Sequence, residues 1–115
     1  MKIVILSISS DIGSDLADFF IKKKYEVYGT YNTSFPNLKI PKKNIFKMNI
    51  ESFDSDEYKS WLSSIGEWDI FISCIGSLKP VGEFTQINLN YWVKSVAENS
   101  TFQIAAVVNA LKFRN

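Results

Sequence analysis

The sequence contains no histidine and a single cysteine, Cys74, and these two shortages exclude more chemistry than any other feature. Without histidine there is no imidazole general base, no Ser-His nucleophile and none of the commonest metal ligand. One cysteine makes neither an internal disulfide nor a thiolate metal site, which suits a reducing compartment. An excess of one charge is missing too: 13 Lys and Arg stand against 12 Asp and Glu, a net +1, too weak a field to gather a nucleic-acid backbone. No apolar run approaches the 18 or so residues that span a membrane. The short apolar start is followed by Asp11, Asp15 and Asp18, where a signal peptide would stay apolar. A cytoplasmic protein is expected, with neither nucleic acid nor membrane as partner.

What is present suits one globular domain. The chain has 115 residues, 46% hydrophobic and 22% charged, enough for a packed core and too few for two domains. Residues 2–8 form a nearly continuous apolar run closed by Ser9-Ser10-Asp11, the pattern of a strand buried on both faces in a parallel sheet. Asp11 is placed to cap a helix over 12–24, with Ile12, Leu16, Phe19 and Phe20 at helical spacing and three Lys in its last turn. Strands are expected at 25–31, 45–50 and 68–75. Between them lie a Pro-containing loop over 32–43 and a helix over 54–65, whose buried face is Tyr58, Trp61, Leu62 and Ile65 and which ends at Gly66. The segment 76–88, with Pro80 and Gly82, reads as a loop beside a cleft, and one long helix follows over 89–113.

The pattern β-α-β-loop-β-α-β-α specifies an open α/β sheet of parallel strands with right-handed crossovers, in the order 3-2-1-4. Two features mark it as part of a larger fold. The fourth strand stands at a bare edge with neither charge nor Pro to protect it. The last helix is apolar nearly all round from Phe102 to Leu111, so one stripe covers the sheet and the other lacks a partner.

The turn Ser7-Ile8-Ser9-Ser10-Asp11-Ile12-Gly13 joins the first strand to the first helix. In such a sheet, free N–H groups and the positive helix end at that point favour a pyrophosphate. Of the three glycines of a dinucleotide fingerprint only Gly13 is present, so a plain capped turn is the competing reading. These residues resemble the short-chain dehydrogenase/reductase family, in whose fingerprint a Thr-Gly is followed by three residues and Gly-x-Gly. Leu6-Ser7 stands at the Thr-Gly, Asp11 at the second glycine and Gly13 at the third. Gly29-Thr30-Tyr31-Asn32 is similar to the end of that family's second strand, Asn49-Ile50 to its adenine-meeting Asp-Val/Ile pair, and Ser73-Cys74-Ile75-Gly76 to its Asn-Asn-Ala-Gly motif. Gly82-Glu83-Phe84, Trp92 and Asn99 fall where the family has its loop, its helix-start Trp and its helix Asn.

The resemblance implies a partial Rossmann-like, doubly wound sheet over 1–115 with helices on both faces, and a nicotinamide dinucleotide as cofactor. Ser7, Ser9, Ser10, Ile12 and Gly13 would cradle the phosphates, with Asp11 turned outward. The ribose-facing stretch Tyr31-Asn32-Thr33-Ser34 lacks the carboxylate that selects NAD, and Lys39, Lys42 and Lys43 follow it, so NADP is expected over NAD. Asn49 either bonds the adenine or simply ends a strand. Ile50 accompanies it, and Cys74, Ile75 and Gly76 would border the nicotinamide ribose. Asn99 would support a proton relay or, structurally, bond a loop carbonyl. Trp61, Trp68 and Trp92 are core or interface aromatics.

The family's catalytic Ser and Tyr-x-x-x-Lys are expected beyond Asn115, since no Tyr here is followed four residues later by Lys. The expectation is therefore the N-terminal cofactor-binding portion of an NAD(P)-dependent oxidoreductase, inactive alone. In the complete protein it would serve hydride transfer with a small carbonyl or alcohol substrate. A homodimer or homotetramer through the 89–113 helix is expected. The alternative is a non-catalytic NAD(P)-binding module that dimerises and senses its cofactor.

Overall fold

The computed structural model describes residues 1–76 and 82–114. Its strands are β1 (Lys2–Leu6), β2 (Glu26–Tyr31), β3 (Ile45–Lys47) and β4 (Ile70–Ser73), and its helices α1 (Asp11–Lys22), α2 (Asp56–Ile65), α3 (Leu89–Val96) and α4 (Phe102–Lys112). The strands are parallel in the order β3-β2-β1-β4, as the sequence pattern requires. Lys2 to Ile5 of β1 stand opposite Glu26 to Gly29, while Ile3 to Leu6 stand opposite Ile70 to Ser73.

The alternation of side chains along a strand divides the core in two. Val4 and Leu6 point toward α2 and α4, packing with Tyr58, Trp61, Leu62, Ile65, Ala106 and Ala110. Ile3 and Ile5 point to the other face with Ile8, Ala17 and Val27, beneath α1. Helices thus cover both faces of the sheet. The four apolar residues at helical spacing in α2 are all buried, and Ser55 caps the helix by accepting from the Tyr58 N–H at 3.2 Å. Small residues at Ala106 and Ala110 let α4 lie close. The Tyr58 hydroxyl donates to the Ala106 carbonyl at 3.0 Å, and Asn109 Nδ2 to the Phe53 carbonyl at 2.7 Å.

Several sequence expectations are corrected. The cap of α1 is Ser10, whose hydroxyl accepts from the Gly13 N–H, and Asp11 is the first helical residue. The buried side of α1 is Gly13 and Ala17, with Leu16 and Phe20 at its margin, while Ile12 and Phe19 face solvent at 70% and 53% exposure. Strand β3 stops at Lys47 because Asn49 begins a 3₁₀ turn, Ile50–Ser52. Strand β4 is confined to Ile70–Ser73, and Trp68 packs instead under the Arg114 guanidinium, 5.2 Å from its ring centre. In the expected loop, Pro80 lies outside the described residues, and a 3₁₀ turn occupies Phe84–Gln86.

The single long helix is in fact two, joined by a π turn at Ala97–Thr101. There the Phe102 N–H donates to the Ala97 carbonyl five residues back, so one extra residue is accommodated and the backbone widens. Helix α3 buries none of its residues. Leu89, Val93, Val96, Ile104, Val108 and Leu111 are exposed along these two successive helices. Among the described residues no strand pairs with the outer edge of β4.

Candidate functional site

The carboxyl ends of β1, β2 and β4 carry the residues that the sequence singled out. After Leu6 the chain turns sharply at Ser7, which adopts φ 63°, a left-handed conformation uncommon for a residue with a side chain. Hydrogen bonds from both sides hold this turn, among them the Ser10 N–H to the Ser7 carbonyl at 3.2 Å. The Ser7 N–H donates to Thr30 Oγ1 at 3.0 Å, the Ile8 N–H to the Thr30 carbonyl at 2.8 Å, and the Ser10 hydroxyl to the Ser7 carbonyl at 2.9 Å. Thr30 is fully enclosed, so its polar atoms are committed to the turn. In the sequence Thr30 is legible only as part of the strand end.

Two glycines permit this packing. A Cβ on Gly13 would stand 2.1 Å from the Ser7 carbonyl oxygen, and one on Gly29 would stand 2.5 Å from Ile8 Cδ1. The first helical turn therefore approaches the strand end closely, and Ile8 closes over β2. The Ser10 hydroxyl is used in both directions, donating to Ser7 and accepting from Gly13 at 3.0 Å. The Ser14 N–H bonds the Ser10 carbonyl. In the first turn of α1 this leaves the Asp11 and Ile12 N–H groups directed outward, as helix geometry dictates. Backbone donors at a helix start, with the positive end of the helix dipole behind them, form a cradle for an anion. The Asp11 side chain is exposed beside that cradle.

At the end of β2, Tyr31 stacks edge-on against Phe35 with centroids 5.2 Å apart, and Asn32, Thr33 and Ser34 are exposed. The loop that follows does not remain there. Leu38 and Ile40 pack on the α1 side of the core, and Asn44 donates to the Val27 carbonyl near the start of β2. Lys42 and Lys43 accordingly stand at the amino side of β3, away from the Tyr31 end. The cation in register with Tyr31 is Lys47, exposed on β3, a pairing that only the strand register reveals.

Asn49 is exposed and its Oδ1 accepts from the Glu51 N–H at 3.0 Å, whereas the Ile50 side chain is buried in the core. At the end of β4, the Cys74 N–H donates to the Leu6 carbonyl at 3.0 Å, which ties this strand end to the β1 turn. Cys74 is half-buried against the α1-side core, and burial pushes its thiol pKa up, so it is not a primed thiolate. The Ile75 carbonyl accepts from Gln103 Nε2 at 2.5 Å. Gly76 lies against Asn99: a Cβ there would stand 3.3 Å from Asn99 Oδ1. Asn99 does not lie within the single long helix expected over 89–113. It is exposed on the π turn, its Nδ2 donating to Ser95 Oγ at 3.1 Å.

The structure thus brings together Ser7, Ser9, Ser10, Ile12 and Gly13 on one turn, with Cys74, Ile75, Gly76 and Asn99 beside the neighbouring strand end. Asn49 and Ile50 belong to a separate turn after β3. The bare cradle at Gly13, the outward N–H groups and the side-chain-free backbone at Gly76 fit a diphosphate-bridged dinucleotide. Among the described residues no group of three or more His, Cys, Asp or Glu side chains is placed to hold a metal ion, and no helix is long and apolar enough to cross a membrane.

No protein-family model and no curated protein matches the chain. Solved structures do match its fold. A short-chain dehydrogenase/reductase from Saccharomyces cerevisiae superposes with a TM-score of 0.77 at 24% identity, over 96% of this chain and 47% of that one. The aldohexose dehydrogenase of Thermoplasma acidophilum gives 0.78 at 18% identity, over 97% and 44%. ElxO, solved as a variant with NADPH bound, gives 0.76 at 20% identity, over 96% and 49%. The chain therefore has the α/β fold found in short-chain dehydrogenases/reductases, and it spans about half the length of these solved chains.

Proposed function

We propose that this chain is the dinucleotide-binding portion of an NAD(P)-dependent oxidoreductase of the short-chain dehydrogenase/reductase type. The observation that carries this reading is the β1–α1 turn. Its strained Ser7, its obligatory Gly13 and its two outward N–H groups form a backbone cradle, which needs no side-chain conservation to hold a pyrophosphate. The fold shared with the NADPH-bound ElxO structure supports the same cofactor class. When bound, the nicotinamide supplies hydride chemistry. This chain's residues hold and orient the cofactor through the turn, the β2 end and the backbone at Gly76.

NADP is the preferred form, because the β2 end has no carboxylate to repel a 2′-phosphate and Lys47 stands in register with Tyr31. A small carbonyl or alcohol is the substrate class of the complete protein, in which a Ser and a Tyr-x-x-x-Lys pair carry the chemistry and Asn99 supports the proton relay. By itself the chain is catalytically inactive. Association into a homodimer or homotetramer uses the apolar stripe of α3 and α4, and a cytoplasmic location accords with the single half-buried thiol.

The test is calorimetric titration of the full chain with NADPH, NADH and ADP. Binding of all three, NADPH the tightest, is the expected result, with loss of binding in Gly13→Asp. Absence of heat with every ligand would overturn the proposal.

A further inference from the structure

The Gln103 side chain joins two parts of the molecule that no backbone ladder connects. From α4 its amide oxygen accepts from the Ser73 hydroxyl at 2.8 Å, and its Nε2 donates to the Ile75 carbonyl at 2.5 Å and to the Glu98 carbonyl at 3.3 Å. Ser73 and Ile75 bracket the end of β4, and Glu98 lies within the π turn. An amide suits this position because it accepts on one side and donates two hydrogens on the other. A carboxylate could serve only Ser73, and a lysine only the two carbonyls. The groups fixed are those flanking Gly76 and Asn99, whose close approach leaves only 3.3 Å between a Cβ at position 76 and Asn99 Oδ1. The π turn is what makes the contact available, since its widened backbone presents the Glu98 carbonyl to a side chain five residues on.

We infer that Gln103 is a positioning residue, which clamps the β4 end to the π turn and so sets the wall of the cofactor site on its nicotinamide-ribose side. This rests on the proposed dinucleotide site but adds to it a residue that touches no ligand and acts through the Ile75–Gly76 backbone and Asn99. Its reach is local: the pyrophosphate cradle at Ser7–Gly13 is held by Thr30 and Ser10 and does not depend on it. The clamp therefore affects the two halves of a dinucleotide differently.

The experiment compares the full chain with Gln103→Met, which keeps the length and removes the bonds, and with Gln103→Glu, which keeps the acceptor for Ser73 and loses both donors. NADPH and ADP are titrated into each, and amide exchange is followed without ligand. In both variants NADPH affinity is expected to fall about tenfold, the worth of roughly one hydrogen bond, with ADP affinity unchanged. Exchange is expected to accelerate at Gly76 and residues 98–101 while β1 stays protected. Equal loss for both ligands, with faster exchange throughout, would make Gln103 merely structural and overturn the inference, as would unchanged NADPH affinity. If the parent chain binds neither ligand, the proposed function fails and Gln103's role toward a cofactor fails with it. Parent binding with no selective loss removes the clamp alone.

Discussion

Ser7 and Asp11 both stand where the resembled fingerprint has glycine, and the two departures have different consequences. At Ser7 the left-handed backbone opposes its Cβ by about 1–2 kcal/mol. A glycine there would return about 0.5–1 kcal/mol to the unfolded chain as entropy. Ser7→Gly is thus expected to stabilise the fold by about 0.5–1 kcal/mol, read as a raised urea midpoint, and a lowered midpoint would show that the serine side chain contributes a bond in the folded state. Asp11 places a carboxylate at the first position of α1. It stabilises the helix end by up to about 1 kcal/mol, yet repels a bound diphosphate by about 1 kcal/mol across a few ångströms of water. Asp11→Asn should bind NADPH roughly fivefold more tightly at a small loss of stability, with the gain shrinking as salt is added. An unchanged affinity across a salt series would place the diphosphate elsewhere.

At the scale of elements, most of the architecture was readable because it rests on periodicity. The α2 face of Tyr58, Trp61, Leu62 and Ile65 is buried as the 3.6-residue repeat demands, and the two-sided burial of β1 follows from its unbroken apolar run. The misreadings share a physical origin in competition between neighbouring groups. Ser10 and Asp11 are both good caps, and only the position of the Gly13 N–H decides between them. Asn49 is as able to cap a turn as to end a strand, so the end of β3 is not legible in the sequence, and the place of Lys47 beside Tyr31 depends on a register that pairs residues 16 apart. A π turn has no sequence signature of its own, which hid both the break at Ala97–Thr101 and the exposure of Asn99. Thr30 and Gln103 escaped notice because their roles depend on partners 23 to 30 residues away. The α2–α4 contact makes a direct check. Tyr58 is enclosed, and burial raises its pKa well above the usual phenol range while its hydroxyl serves the Ala106 carbonyl. Tyr58→Phe leaves that carbonyl without its partner and is expected to cost about 1–2 kcal/mol, measured as a lower thermal midpoint. An unaltered midpoint would mean the bond is not formed in solution.

Taken whole, the molecule is longer than its residue count requires. Its radius of gyration is 15.0 Å, against about 13 Å for a compact chain of this length, and α3 extends from the body with no buried residue. The unpaired edge of β4 and the exposed apolar side chains Val93, Ile104 and Leu111 are features of the kind that mark association. Sedimentation across a concentration series should show self-association of the full chain. Val93→Lys, Ile104→Lys and Leu111→Lys together are expected to return it to a monomer with its far-UV dichroism intact. A monomeric parent chain would separate these surfaces from self-association.

Amide NMR of the full chain titrated with NADPH decides whether the carboxyl ends of β1, β2 and β4 together hold a dinucleotide. Shifts are expected to concentrate at Ser7–Gly13, at Tyr31 and Asn32, and at Cys74–Gly76, with the amino ends of the strands around Lys2, Glu26 and Asp69 unmoved. Shifts confined to those amino ends, or none at all at saturating NADPH, would contradict a dinucleotide site at the carboxyl ends.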